Sequence, residues 1–154
     1  LISTPPASVQ LNSGGAAAAP FSADADFTGG STVTSNATID TSGVSNPAPQ
    51  SVYQSNRFGT FSYAIPSLKA NANYTLRLHF AETYWTQAGQ RVFNVTCNGQ
   101  PILSNYDIVA SAGGANKAVV AQVSVKADSS GTITLQFATV KDNAQVNGIE
   151  LIPA

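Results

Sequence analysis

The stretch NYTLRLHFA at Asn73–Ala81 decides the fold class. Successive side chains of a strand point to opposite sides, so Tyr74, Leu76, Leu78 and Phe80 share one face. Thr75, Arg77, His79 and Ala81 share the other. The same alternation recurs downstream. Arg91–Cys97 sets Phe93, Val95 and Cys97 against Val92, Asn94 and Thr96, and Asn98-Gly99 then predicts a tight turn. Ala118–Val125 is rich in β-branched residues, and Asp128–Gly131 reads as a turn. Thr132–Thr139 places Ile133, Leu135 and Phe137 inside, and a last strand is predicted over about Val146–Ile152. Nothing in this half has the period of about 3.6 residues that marks a helix. Short strands separated by Gly, Asn and Asp turns predict an all-β fold, an antiparallel two-sheet β-sandwich of jelly-roll type.

Upstream the periodicity fades. NSGGAAAAPFSADADFTGGSTV, from Asn12 to Val33, holds two Gly pairs and Pro20, and reads mostly as loop after one short strand at Ser8–Leu11. The Ala run at 16–19 is too short for an independent helix, which needs about 12–15 residues in water. SGVSNPAPQ at Ser42–Gln50 is a further loop before SVYQSNRF. No internal repeat and no second domain is visible. LISTPPAS at 1–8 reads as the end of a linker, which leaves 9–154 as the folded module. A start at Leu1, without Met or a basic-then-apolar leader, predicts a piece of a larger secreted protein, extracellular or periplasmic.

Composition narrows the function. Of 154 residues, 43% are hydrophobic and only 10% are charged, with a net charge of −1. An average soluble domain is about a quarter charged. A surface of Ser, Thr, Asn and Gln suits uncharged ligands, and it offers no electrostatic footprint for nucleic acid or anionic membranes. No run approaches the ~20 apolar residues of a membrane span. Cys97 is the only cysteine, so no internal disulfide can form, and no Cys/His spacing resembles a zinc site. It falls on the apolar side of its strand and reads as a buried thiol. Ca²⁺ takes about six to eight oxygen ligands, whereas Asp24, Asp26, Asp40, Asp107 and Asp128 are scattered. ADAD at 23–26 is the only local acidic cluster, and it reads as loop capping. No cofactor is expected.

Candidate ligand-binding residues fall in loops. Tyr84 and Trp85 follow the Asn73–Ala81 strand inside AETYWTQAGQ, where a polar, Gly-containing sequence takes the chain out of the strand. Loop aromatics offer flat apolar faces to the C–H faces of a sugar ring, and Tyr adds a hydroxyl. The alternative is that they plug the end of the sandwich. Asp142-Asn143, in VKDNAQVNG, could accept from and donate to neighbouring sugar hydroxyls. Asp-Asn is equally a turn dipeptide that bonds its own backbone. Glu82 could serve as a general acid, but a glycosidase needs a second carboxyl roughly 5–10 Å away, and Asp142 is the only plausible partner. His79 reads as a packed or rim histidine. No catalytic triad appears, so no enzyme activity is expected. Three sequons, at Asn36, Asn73 and Asn94, arise easily in so Thr-rich and Asn-rich a chain.

These residues also carry a family resemblance. The segment LRLHFAETYWTQAGQRVFNVTCNGQPILSNYDI, followed by AGGANKAV and DNAQVNGIEL, closely resembles the malectin and malectin-like modules. VQLNSGG, FSADADF and SVYQSNR resemble that family's N-terminal half more loosely, so the likeness runs from about Val9 to Ile152. It implies a β-sandwich with a loop-built pocket for glucose disaccharides, lined by aromatics and an Asp. The family's aromatic pair falls on Tyr84 and Trp85, its late Asp on Asp142, its Tyr before the Arg-containing turn on Tyr53, and an earlier loop aromatic near Phe21. Phe21 stands where animal members have Tyr, Trp85 replaces a smaller Phe, and Ala-Gln follows Asp142-Asn143 where they have Pro-Lys. Similar modules occur beside glycoside hydrolases in bacterial proteins and in plant receptor ectodomains that bind peptides.

The resulting expectation is a monomeric, non-catalytic carbohydrate-binding module for neutral, glucose-containing oligosaccharide. Tyr84, Trp85, Asp142, Tyr53, Phe21, Asn143 and Glu82 would be its ligand-binding residues, and a linked glycoside hydrolase a possible partner. Protein or peptide recognition and a structural spacer are the competing readings.

Overall fold

The structure, a computed structural model, describes residues 7–154. The linker reading of 1–8 therefore falls largely outside the described residues. In chain order the elements are β1 (Val9–Asn12), β2 (Ser22–Ala23), β3 (Phe27–Thr34), α1 (Gln50–Gln54), β4 (Ser55–Ile65) and β5 (Asn73–Ala81). There follow β6 (Val92–Cys97), β7 (Gln100–Tyr106), α2 (Ile108–Ala112), β8 (Ala118–Lys126), β9 (Ile133–Lys141), β10 (Ala144–Val146) and β11 (Gly148–Pro153). One sheet has the order β2-β1-β11-β5-β8, and the other β10-β4-β9-β6-β7. β3 runs along one edge of β4, from Phe27 opposite Tyr63 to Thr34 opposite Ser55. β10 and β9 share the other edge, beside Arg57–Gly59 and Phe61–Ile65.

The core is the one the alternation foretells. Tyr74, Leu76, Leu78 and Phe80 of β5 are buried against Phe61, Tyr63 and Ile65 of β4, Phe93 and Val95 of β6, and Ile133, Leu135 and Phe137 of β9. Phe61 and Phe137 stack with centroids 4.6 Å apart. Cys97 is a buried free thiol, and burial pushes its pKa up to about 11.

The other face of β5 is covered as well. Arg77 and His79 lie beneath the loop that leads into α1, where Phe21, Ile39, Ala48, Val52, Tyr53, Ala81 and Ala118 form a second apolar cluster. Arg77 Nη2 donates to Ser45 O (2.6 Å) and Nη1 to Asn46 O (3.0 Å) and Glu150 Oε1 (3.0 Å), which straps that loop to the sheet. His79 Nε2 lies 2.6 Å from Glu150 Oε1 and its Nδ1 2.8 Å from the Tyr53 hydroxyl. Burial opposes ionisation of Glu150, but hydrogen bonds from His79 and Gln10 and the nearby Arg77 charge hold its carboxyl below the ordinary value.

Five segments depart from the pattern reading. β3 is a strand within a stretch that reads mostly as loop, and β7 one where no strand is predicted, because neither alternates: β3 is exposed along its whole length. The last strand is broken at Asn147, a fully buried side chain. Its Oδ1 accepts from Ala81 N (2.9 Å), and its Nδ2 donates to Tyr53 O (3.0 Å) and Ser55 O (2.8 Å), tying the two sheets together. α1 and α2 are single turns that periodicity cannot reveal. The ADAD segment is indeed a cap: Asp24 accepts from Gly14 N (2.8 Å), Arg57 (2.9 and 3.1 Å) and the Tyr63 hydroxyl (2.7 Å).

Candidate functional site

A cleft of about 480 Å³ opens where four parts of the chain converge. β3 and its end contribute Val33, Thr34 and Ser35, β4 contributes Asn56 and Phe58, the β5–β6 connection contributes Thr83, Tyr84 and Arg91, and the β9–β10 corner contributes Asp142, Asn143 and Gln145.

The β5–β6 loop is built on Glu82, only 1% exposed. Its carboxylate accepts from Arg91 Nε (2.6 Å) and Nη2 (3.2 Å) and from the backbone N–H groups of Tyr84 and Trp85 (both 3.3 Å). A buried carboxylate needs such compensation, since losing water is costly. The result is a tight turn that throws Tyr84 outward, where it is 73% exposed. Trp85 is half-buried behind it, the two rings meeting edge to face with centroids 4.7 Å apart.

The opposite wall is the β9–β10 corner. Asp142 has φ +57°, a left-handed conformation that Asp tolerates better than most residues. Trp85 Nε1 donates to its Oδ2 (3.0 Å), which also lies 3.2 Å from Arg91 Nη1, while that same nitrogen donates to Asn143 O (2.7 Å). Arg91 thus bridges both walls. Burial works against charge on Asp142, but bonds from Trp85 and Asn143 N and the Arg91 guanidinium hold its carboxyl below the usual range.

Of the residues expected at the site, Tyr84, Asp142 and Asn143 come together in the cleft, with Trp85 bracing them. Glu82 sits beneath the turn and serves the loop. Tyr53 and Phe21 do not line this cleft; both are buried in the second cluster, each with its ring edge-on to His79. Tyr53 is held there by its hydroxyl, which accepts from Ala48 N (3.2 Å) besides meeting His79. Val33, Asn56, Phe58, Arg91 and Gln145 escaped the sequence reading. Asn56 and Phe58 carried a signal, two positions apart on one face of a strand, in the segment that supplied Tyr53. Val33 carried none.

The fold and the cleft define a malectin-like β-sandwich module. The chain belongs to the malectin domain family, whose pattern matches residues 8–149. Human malectin is 42% identical over 66 residues, a stretch that covers 42% of this chain and 22% of that protein. The chain thus spans only a fraction of its curated relatives. Among solved structures, a chain of the plant peptide RALF23 in complex with FER and LLG2 superposes with TM-score 0.84 at 21% identity, covering 99% of this chain and 51% of that one. A Bacteroides uniformis β-glucuronidase superposes with TM-score 0.75 at 16% identity, covering 96% of this chain and 18% of the enzyme's. At these identities the two structures speak for the fold alone. Among the described residues no helix is long and apolar enough to cross a membrane.

Proposed function

We propose that this chain is a non-catalytic module that binds neutral, glucose-containing oligosaccharide in the cleft between Tyr84 and Asp142. The observation that carries this reading is a solvent-exposed tyrosine ring on a rigid loop, facing a carboxylate and an amide across a cleft of sugar size. An aromatic this exposed has nothing to gain from folding; its flat face is free for the C–H face of a pyranose. Asp142 and Asn143, fixed by Arg91 and Trp85, supply directed hydrogen bonds without reorganisation.

Catalysis fits poorly. A general acid at neutral pH needs a raised pKa, and Asp142 is shifted the other way, while Glu82 is sealed beneath the loop. A module of this kind works by raising the local concentration of whatever it is joined to, such as a glycoside hydrolase in a secreted chain. The test is calorimetric titration with glucose disaccharides and β-glucan fragments. Saturable binding that vanishes in Tyr84→Ala supports the assignment, and a blank across the panel removes it.

One observation favours a second reading, recognition of an extended peptide. β3 is an eight-residue edge strand, exposed throughout, that ends at the cleft with Val33. Such an edge can accept an added strand. Capture of a peptide that protects the β3 amides from hydrogen exchange, with a blank sugar panel, would favour it.

A further inference from the structure

Asn56 forms part of the cleft lining beside Phe58, in register with Val33 of β3. It is only 4% exposed, yet its Oδ1 has no hydrogen-bond partner. A buried acceptor without a donor bears its full desolvation penalty, and native proteins leave few such groups. Several donors around the cleft are already committed. Gln145 Nε2 donates to Ala81 O (2.9 Å), and Trp85 Nε1 to Asp142. Arg91 spends Nε and Nη2 on Glu82 and Nη1 on Asn143 O. Asn56 Oδ1 is thus a buried acceptor in the cleft lining that no protein donor meets.

We infer that Asn56 is a specificity-determining residue of the cleft, its Oδ1 accepting a hydrogen bond from a hydroxyl of the bound sugar. The inference deepens the oligosaccharide reading and rests on it. A site built around an unpaired acceptor favours a ligand that brings a donor and rejects its analogue lacking one, because the analogue leaves the acceptor stranded. The same logic explains why the group is kept unpaired: the energy withheld in the free protein is recovered on binding.

The test compares the parent chain with Asn56→Leu, which keeps the shape and removes the acceptor. Each is titrated with maltose and cellobiose and with their monodeoxyfluoro analogues, in which one hydroxyl can no longer donate. The free Asn56→Leu protein is expected to melt roughly 2–4 °C above the parent, because a stranded acceptor has gone. Its affinity for the sugar falls roughly tenfold. One fluoro analogue binds weakly to the parent yet equals the unmodified sugar on Asn56→Leu. Parent-like binding by Asn56→Leu, or a lower melting temperature for it, overturns the inference alone. A parent chain blank to both sugars overturns the oligosaccharide reading, and this inference with it.

Discussion

Arg91 joins the two walls of the cleft through one guanidinium, and Tyr84 presents the surface that they support. The two residues should fail in opposite ways. Arg91→Met leaves the Glu82 carboxylate buried without its ion partner, and breaking a buried pair from one side costs about 3–5 kcal/mol. Urea denaturation should register that loss, with weakened ligand binding alongside it. Tyr84→Ala removes a ring that is 73% exposed. Its urea midpoint should stay within about 0.5 kcal/mol of the parent's stability, while sugar affinity falls at least tenfold. Asp142 stands between these cases. Its conformation with φ +57° is local to the turn, so Asp142→Asn should keep the fold and lose the charge-assisted bonds to Trp85 and Arg91, displacing the Trp85 emission maximum.

At the scale of elements, Asn147 is where the sheets are coupled, because the chain there leaves β10 on one sheet and enters β11 on the other. Asn147→Ala strands the buried Ala81 N–H and the carbonyls of Tyr53 and Ser55. Each unsatisfied group costs about 1–3 kcal/mol, so thermal unfolding should come markedly earlier, which calorimetry would register. The strands that alternate were legible: Tyr74 to Phe80, Phe93 to Cys97 and Ile133 to Phe137 announced both their conformation and their buried face. β3 was not, since a strand exposed on both faces has no hydrophobic period to read. The same holds for the cleft. Tyr84, Trp85 and Asp142-Asn143 stood out as loop aromatics and a turn dipeptide, and the structure brings them together at the cleft. That Tyr53 and Phe21 lie away from this cleft could not be read, because an aromatic near a turn looks the same in sequence whether a loop folds over it or leaves it open. Here the strap of Arg77 to Ser45 and Asn46 folds the loop over it. Arg91 was hidden for a related reason, as its role depends on two loops that meet only in the fold.

At the scale of the whole molecule, low charge sets the expected response to solution conditions. Glu150 and Asp142 both have carboxyl pKa values depressed in the folded state. Groups of this kind contribute stability that is fully present above their unfolded values, 4.5 for Glu and 3.8 for Asp, and that disappears as pH falls through the folded values. Melting temperature should therefore change little with these two groups near neutral pH and drop as the solution is acidified below about 4.5, a course that a pH series of thermal melts would trace. Sugar binding should be almost indifferent to added salt, since a neutral ligand releases no counterions. The most direct measurement is a fluorescence titration of the isolated chain, following Trp85, the only tryptophan, which lies against both Tyr84 and Asp142. With glucose disaccharides and β-glucan fragments the account predicts a saturable change in the parent chain that is lost in Tyr84→Ala and in Asp142→Ala, both still folded. A flat response across the panel, or saturation that survives both substitutions, would contradict it.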